Sequence, residues 1–224
     1  MSPAGARIVV LISGGGTNLQ AILDATRDHE IPGIVAAVIS NRPDAQGLGR
    51  AAKMGIPTEV LDHRGFETRA DFDLALMRLI DRYEPDLIVL AGFMRILGSE
   101  LVGHYAGRML NIHPSLLPAY RGLHTHARAL ADGAREHGAS VHFVTADLDG
   151  GPVIIQALVP VLNGDTPETL AARVLEQEHI VYPLAVRWFC EGRLKLRDTK
   201  IELDGRALDR PVRLDELEPA VGAP

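Results

Sequence analysis

The sequence predicts an α/β fold: an open, mostly parallel, twisted sheet with helices on both faces, and antiparallel strands toward the C-terminal part. Continuous apolar runs such as RIVVLI (7–12) and LIVL (87–90) are typical of strands that are buried on both faces. Segments with helical spacing separate these runs through about residue 110, which favours a parallel sheet with crossover helices. Later, 139–145 and 153–159 are joined by a connection too short for a helix, which favours an antiparallel pair.

Apolar spacing and turn residues give the individual elements. The predicted strands are 7–12, 34–39, 58–61, 87–90, 109–112, 139–145 and 153–159, and 194–196 with 201–203 form a small hairpin. The predicted helices are one that begins at Leu19, then 47–54, 68–83, 126–132 and 166–192. Thr166 is suited to cap the last helix, and Pro183 is expected to kink or divide it. The chain from Arg210 onward is expected to lie on the surface or to be frayed.

Composition excludes several classes of protein. The 224 residues can bury a substantial core, and no apolar run approaches the length of a membrane span. The formal charge of −6 argues against a general binder of nucleic acid or of membrane surfaces. Cys190 is the single cysteine, so an internal disulfide and a cysteine-based metal cluster are excluded. With no signal peptide predicted, we expect a cytoplasmic protein.

A glycine-rich turn, SGGGTN at 13–18, lies between the first strand and the first helix. Glycines let backbone N–H groups approach an anion, and the positive end of a helix favours it. The turn matches neither a dinucleotide fingerprint nor a Walker A loop, so a mononucleotide phosphate is the better hypothesis. The structural alternative is a tight turn in which Thr17 or Asn18 caps the helix.

Two polar residues interrupt the apolar strand MLNIH (109–113) at alternate positions. Asn111 and His113 therefore share a face at the end of a strand, where an amide and an imidazole suit a developing oxyanion and a moving proton. Asp149, on a later glycine-rich turn, could reach the same place and support the histidine. Because Ser115 has no evident activation, direct acyl transfer between two bound substrates is favoured over a covalent intermediate.

The loop AGFMRIL (91–97) is unusually apolar for a segment that leaves a strand. If Phe93, Met94, Ile96 and Leu97 are exposed or half-exposed, they could line a pocket for a flat aromatic ligand. The alternative is a helix start packed on the core. His124 and His126 lack further ligands at helical spacing, so no metal site is predicted.

Several motifs together resemble those of phosphoribosylglycinamide formyltransferases of the folate-dependent purine pathway. They are VVLISGGGTNLQAI (9–22), VLAGFMRIL (89–97), LNIHPSLLP (110–118), GLHTH (122–126), SVHFVTADLDGGPVI (140–154) and QEHIVYPL (177–184). The resemblance covers nearly all of 7–205. It implies a Rossmann-like formyltransferase domain over 1–205, with a nucleotide-binding half to about 105, a folate-binding and catalytic half over 106–205, and a surface tail over 206–224. Arg121 and Gly15 differ from some members of the family.

The resemblance also implies roles for individual residues. Asn111, His113 and Asp149 would be catalytic, and His142 is a further candidate to assist them. Five residues would bind the ribonucleotide substrate: Gly16, Thr17 and Asn18 at the phosphate, Glu178 at the amine, and Pro114 beside it. The 10-formyltetrahydrofolate cosubstrate would contact Arg69, Leu90, Met94, Arg95, Ile96, Leu97, Asn111, Thr145, Ala146, Asp147, Leu148 and Asp149. No metal is required, the partners are small molecules, and a monomer or homodimer is expected.

Other interpretations remain open from the sequence. Glu178 and Arg69 could be ordinary solvated side chains, since charged residues are mostly exposed, and His142 could simply pack beneath the site. The same formyl donor would also serve a formyltetrahydrofolate hydrolase or an enzyme with another formyl acceptor. A non-catalytic nucleotide-binding protein would explain the glycine turn, but not the grouping of Asn111, His113 and Asp149.

Overall fold

The computed structural model describes residues 5–217. Its strands are β1 (Ala6–Ile12), β2 (Gly33–Ser40), β3 (Thr58–Val60), β4 (Leu87–Leu90), β5 (Met109–His113), β6 (Glu136–Phe143), β7 (Val153–Pro160), β8 (Leu194–Arg197), β9 (Lys200–Leu203), β10 (Arg206–Ala207) and β11 (Val212–Arg213). Its α-helices are α1 (Thr17–Arg27), α2 (Gln46–Lys53), α3 (Arg69–Asp81), α4 (Ser99–His104), α5 (Thr125–Ala131) and α6 (Pro167–Cys190). Within these residues no helix is long and apolar enough to cross a membrane.

Eight strands form one open sheet in the order β11-β7-β6-β5-β4-β1-β2-β3. The strands from β3 to β5 are parallel, whereas β6 is antiparallel to both β5 and β7. This arrangement confirms the predicted fold class, including the change to antiparallel pairing after β5. A second, three-stranded antiparallel sheet contains the predicted hairpin of β8 and β9, with β10 added.

Alternation along β1 divides the apolar interior into two layers. Ile8, Val10 and Ile12 join a core that is covered by α1, α2 and α6, while Val9 and Leu11 join a core covered by α3 and α4. All five side chains are fully buried. Side chains that alternate across a strand therefore require a helical layer on each face, as the apolar run predicted.

The structure differs from the sequence-based expectations for helix α6. Pro183 does not divide this helix, which continues for 24 residues. Buried residues on both sides of the proline, including Tyr182 and Ala185, pack onto the sheet and hold the helix in one piece. At its start, Thr166 accepts a hydrogen bond from the Thr169 N–H, which confirms the predicted cap.

The C-terminal part also differs from expectation. Val212–Arg213 pairs in parallel with β7 and forms one edge of the main sheet, so the expectation of a frayed segment is wrong here, while a position at the surface fits an edge strand. Leu208, Leu214 and Leu217 pack in part against the core. The ends of the expected domain and tail, 1–4 and 218–224, lie outside the described residues.

Candidate active site

The glycine turn lies at the position in the sheet where the strand order reverses, with β1 flanked by β2 and β4. In open α/β sheets, ligands bind beyond the carboxyl ends of the strands at such a point. Gly16 adopts a φ of 71° and precedes α1 directly, so Gly16 is the N-cap, and the alternative caps Thr17 and Asn18 are wrong. A side chain at Gly16 would press into the backbone of Gly47, so close packing between the turn and α2 requires glycine here.

A pocket opens over this turn. The pocket-lining residues are Ser13, Gly14, Gly15, Gly16, Thr17, Asn18, Arg42, Ala91, Gly92 and Met94. The first backbone N–H groups of α1 have no partners within the helix, so they can bind an anion in this pocket. Arg42, which the sequence analysis did not single out, adds a positive charge and is paired at the surface with Asp44 at 2.7 Å. The sequence feature that could have identified Arg42 is its position as a basic residue in the polar turn after the second strand.

Glu178 projects from α6 toward the glycine turn and is buried, so it is not a solvated surface carboxylate. The Asn18 Nδ2 group donates to Glu178 Oε2 at 2.6 Å. Burial raises the pKa of Glu178, and the hydrogen bond from Asn18 opposes part of that increase. The Asn18 side chain is therefore engaged with Glu178, and its buried Oδ1 atom has no hydrogen-bond partner among the described residues.

Asn111 and His142 face each other across the antiparallel pair β5–β6. The His142 Nδ1 atom lies 2.9 Å from the Phe143 carbonyl oxygen, which can only accept, so Nδ1 carries the proton. Burial lowers the pKa of His142, and the ring is therefore neutral near pH 7. Its Nε2 atom then accepts from Asn111 Nδ2 at 3.0 Å, which fixes the amide orientation, and the second Asn111 N–H has no hydrogen-bond partner within residues 5–217.

His113 and Asp149 lie next to this pair. The His113 Nε2 atom donates to the Tyr120 carbonyl oxygen at 2.9 Å, so Nδ1 is the ring nitrogen directed toward Asp149. The distance from His113 Nδ1 to Asp149 Oδ2 is 3.5 Å, and that from His142 Nε2 to Asp149 Oδ1 is 3.8 Å. The two rings and the carboxylate are almost fully buried, which strengthens electrostatic interactions among them.

The β6–β7 connection brings Asp149 to this position. Asp149 has a φ of 47°, a conformation that aspartate tolerates better than most residues, and its Oδ2 atom accepts from the Gly122 N–H at 2.9 Å. The next two residues are glycines. A Cβ atom at Gly151 would overlap the carbonyl oxygen of Phe143, so the tight return into β7 requires glycine.

Asn111 and Asp149 line a second pocket. The predicted folate-binding residues that line it are Leu90, Arg95, Ile96, Leu97, Asn111, Thr145, Ala146, Asp147, Leu148 and Asp149. His142 also lines it, together with Phe93, Val102 and Val144, of which the sequence analysis had singled out only Phe93. Two expected members lie elsewhere: Arg69 begins α3, and Met94 lines the pocket over the glycine turn.

The loop between the pockets is only partly exposed. Met94 and Ile96 are exposed as expected, but Phe93 and Leu97 are buried in the core, contrary to expectation. Their burial fits the alternative of a segment packed on the core, although α4 begins only at Ser99. Asp73 Oδ2 accepts from the Gly98 N–H at 2.7 Å and holds the end of the loop, a contact that the sequence did not signal.

A neutral amide donor, Asn111, and a carboxylate, Asp149, line the second pocket, and the imidazole of His113 lies beside that carboxylate. Such a set can stabilise a developing oxyanion and transfer a proton, which acyl transfer requires. Pro114 follows β5 directly and is half-buried, although it lines neither pocket. Among residues 5–217, no cluster of three or more histidine, cysteine or acidic side chains has an arrangement able to hold a metal ion.

Comparisons with known proteins agree with this geometry. Residues 6–186 match the family model described as formyl transferase. The chain is 58% identical to phosphoribosylglycinamide formyltransferase of Escherichia coli (strain K12), over 90% of this chain and 95% of that protein. It is 54% identical to a solved phosphoribosylglycinamide formyltransferase from Coxiella burnetii, with a TM-score of 0.89 over 93% of this chain and 99% of that one. A trifunctional purine biosynthetic protein of Homo sapiens is 44% identical over 85% of this chain, which spans 19% of that protein. The chain therefore belongs to the formyl transferase family.

Proposed function

We propose that the protein transfers a formyl group from 10-formyltetrahydrofolate to the amine of 5-phosphoribosylglycinamide in purine biosynthesis. The products are N-formylglycinamide ribonucleotide and tetrahydrofolate. The observation that carries this proposal is that Asn111 and Asp149 line the second pocket with His113 beside Asp149, while the 91–97 loop contributes residues to both pockets. The similarity to phosphoribosylglycinamide formyltransferases, over nearly the whole length of the bacterial relatives, supports this choice of substrates.

The ribonucleotide occupies the pocket over the glycine turn in this proposal. Backbone N–H groups of Gly16, Thr17 and Asn18 bind the phosphate at the positive end of α1. Glu178 contacts the glycinamide amine, and Pro114 borders the substrate. The unpartnered Asn18 Oδ1 atom is a suitable acceptor for an N–H group of the same ligand, because a buried acceptor without a partner is costly.

The formyl donor occupies the second pocket. Backbone and apolar groups of Leu90, Arg95, Ile96 and Leu97, together with the 145–149 loop, surround the flat pterin ring. Arg69, outside this pocket on α3, would meet a carboxylate of the folate's glutamate tail. The nucleotide-binding half thus supplies one wall of the folate site. In this proposal the two halves, which divide near residue 105, differ in function but are not separate in space.

The chemistry follows from the hydrogen bonds around the reacting carbonyl. The amine attacks the formyl carbon. The second Asn111 N–H donates to the tetrahedral oxyanion, and the positive charge of protonated His113, whose ring nitrogens face Tyr120 and Asp149, stabilises the oxyanion electrostatically. Asp149 supports the charge on His113 and, directly or through water, helps to pass a proton from the attacking amine to the departing folate nitrogen. The C–N bond to folate then breaks, and the formyl carbonyl is restored on the acceptor.

The decisive experiment mixes purified protein with both substrates and measures the release of tetrahydrofolate. We expect release only when 10-formyltetrahydrofolate and glycinamide ribonucleotide are both present. Release without the amine would indicate a hydrolase instead, and no release under any condition would indicate a nucleotide-binding protein without this activity. Asp149→Asn should reduce turnover by about 10²-fold or more while ribonucleotide binding is nearly unchanged, since it removes the partner of the charged imidazole.

A further inference from the structure

Ser13 follows the first strand as the first residue of the glycine turn, and it contacts the 91–97 loop that leaves β4. Only 5% of this residue is exposed. Its backbone N–H donates to the Gly92 carbonyl oxygen at 3.1 Å. Ser13 thus connects the two segments that form the walls of the two pockets.

The Ser13 hydroxyl makes a directed link. Its Oγ atom accepts from the Met94 N–H at 2.7 Å, and its own proton is donated to Asn41 Oδ1 at 2.5 Å. Asn41 is itself buried, and its amide nitrogen lies 3.1 Å from His63 Nδ1. The Ser13 hydroxyl accepts from Met94 and donates to Asn41, which directly follows β2. It therefore links the Met94 backbone to the end of β2.

Alternate residues of the linked loop serve opposite pockets. Gly92 and Met94 line the pocket over the glycine turn, whereas Phe93 and Arg95 line the second pocket. A shift of the Met94 backbone would therefore change both pockets together. A ligand that orders this loop from one side prepares it for a ligand on the other side, and such coupling is necessarily reciprocal.

We propose that Ser13 is a positioning residue that couples the binding of the two substrates, through its hydrogen bond to the Met94 backbone. This inference rests on the proposed function for the identity of the two ligands. The first ligand is the phosphorylated amine, and the second is the folate. Ser13 contacts neither reacting atom in this role; it holds the wall that both ligands share.

Calorimetric titration tests the coupling directly. Glycinamide ribonucleotide is titrated into the protein, first alone and then with a saturating folate analogue that carries carbon in place of N10 and so cannot transfer a formyl group. In the unaltered protein the analogue should lower the Kd of the ribonucleotide about 10-fold, within the range usual for coupled sites. In Ser13→Ala that ratio should fall to about 2 or less, and the reverse titration should show the same ratio.

Ser40→Ala is the matched control. Ser40 ends the neighbouring strand β2, is fully buried and also makes one hydrogen bond as donor and one as acceptor, but both of its bonds stay within its own turn at Arg42. This variant should keep the 10-fold ratio even if its melting temperature falls. Ser13→Thr, which retains a hydroxyl at this position, should keep the coupling. If Ser13→Ala does not fold, Asn41→Ala removes the acceptor of the Ser13 proton and should weaken the coupling in the same direction.

An unchanged ratio in Ser13→Ala would overturn the inference. So would the absence of coupling in the unaltered protein, or an equal loss in Ser40→Ala, which would indicate general loosening of the fold. Failure of the unaltered protein to bind the ribonucleotide or the folate analogue at all would instead contradict the proposed function, and the two failures are thereby distinguished.

Discussion

Asn111, His142 and Ser13 are held at the site by hydrogen bonds between segments that lie far apart in the chain. Alternation along a strand was sufficient to predict that Asn111 and His113 share a face, and a glycine-rich turn was sufficient to single out Asp149. By contrast, the bond between Asn111 and His142 follows from the register of β5 against β6, which the sequence does not specify. The bond from Ser13 to Met94 spans 81 residues and was equally out of reach.

Glu178 is the residue for which function and stability conflict most clearly. Burial raises the pKa of its carboxyl group above the unfolded value of about 4.3. Below the unfolded pKa the group is protonated in both states and costs nothing, whereas above the folded pKa the buried charge lowers the free energy of unfolding. Glu178→Gln should therefore stabilise the protein at pH 8 and have little effect near pH 4. Each kcal/mol relieved should raise the Tm by about 2–4 °C.

Thermal melts of Glu178→Gln at both pH values check this expectation. Glutamine retains an oxygen that accepts from Asn18 Nδ2, but it carries no charge into the buried site. Glu176→Gln, an exposed substitution on the same helix, serves as control and should change the Tm little at either pH. The KM for the amine substrate should rise only in Glu178→Gln. Equal melting behaviour of the two variants at pH 8 would contradict a penalty from the buried charge.

At the scale of elements, strands with an apolar or alternating pattern were predictable, and elements without such a pattern were not. The seven predicted strands and the hairpin are present, including the three-residue β3, because each leaves such a pattern in the sequence. Helix α4 has six residues, and β10 and β11 have two each, so these elements exist only through tertiary pairing. Pro183 does not divide α6, since packing of the helix onto the sheet outweighs a local helix-breaking preference.

The β6–β7 connection illustrates how an element positions a single side chain. A Cβ at Gly151 would overlap the Phe143 carbonyl oxygen, and one at Gly138, within β6, would overlap the Ala157 carbonyl oxygen. Both alanine substitutions should cost about 1–3 kcal/mol in stability, as overpacking does. Only Gly151→Ala displaces the turn that carries Asp149, and it should lower kcat about 10²-fold, the typical effect of a misplacement near 1 Å.

Turnover per folded molecule and Tm, measured on both glycine variants, separate these effects. Gly138→Ala is the control because its clash lies between two strands, away from the Asp149 turn. We expect its kcat to stay within a few-fold of the unaltered value. A comparable loss of kcat in both variants would mean that the turn does not position the catalytic carboxylate independently of the sheet.

For the whole molecule, the open sheet leaves two edges, and the C-terminal segment covers one of them. We call 206–217 the C-terminal strap: it adds β10 to the small sheet and then pairs β11 with β7. Leu208, Val212, Leu214 and Leu217 of the strap are partly buried against the main core. An uncovered edge strand offers unpaired backbone groups to other chains, so the strap protects β7 as well as stabilising it.

A chain that ends at Gly205 should therefore be both less stable and more prone to aggregate than a chain that ends at Leu217. Half-burial of four aliphatic side chains is worth roughly 3 kcal/mol in total, and the Tm should fall by about 6–12 °C at 2–4 °C per kcal/mol. Light scattering during the same melts should show aggregation that grows with protein concentration, because the exposed β7 edge joins molecules together. The longer truncated chain retains the strap and isolates its contribution. If the two chains melt together and remain equally dispersed, the strap does not protect this edge of the sheet.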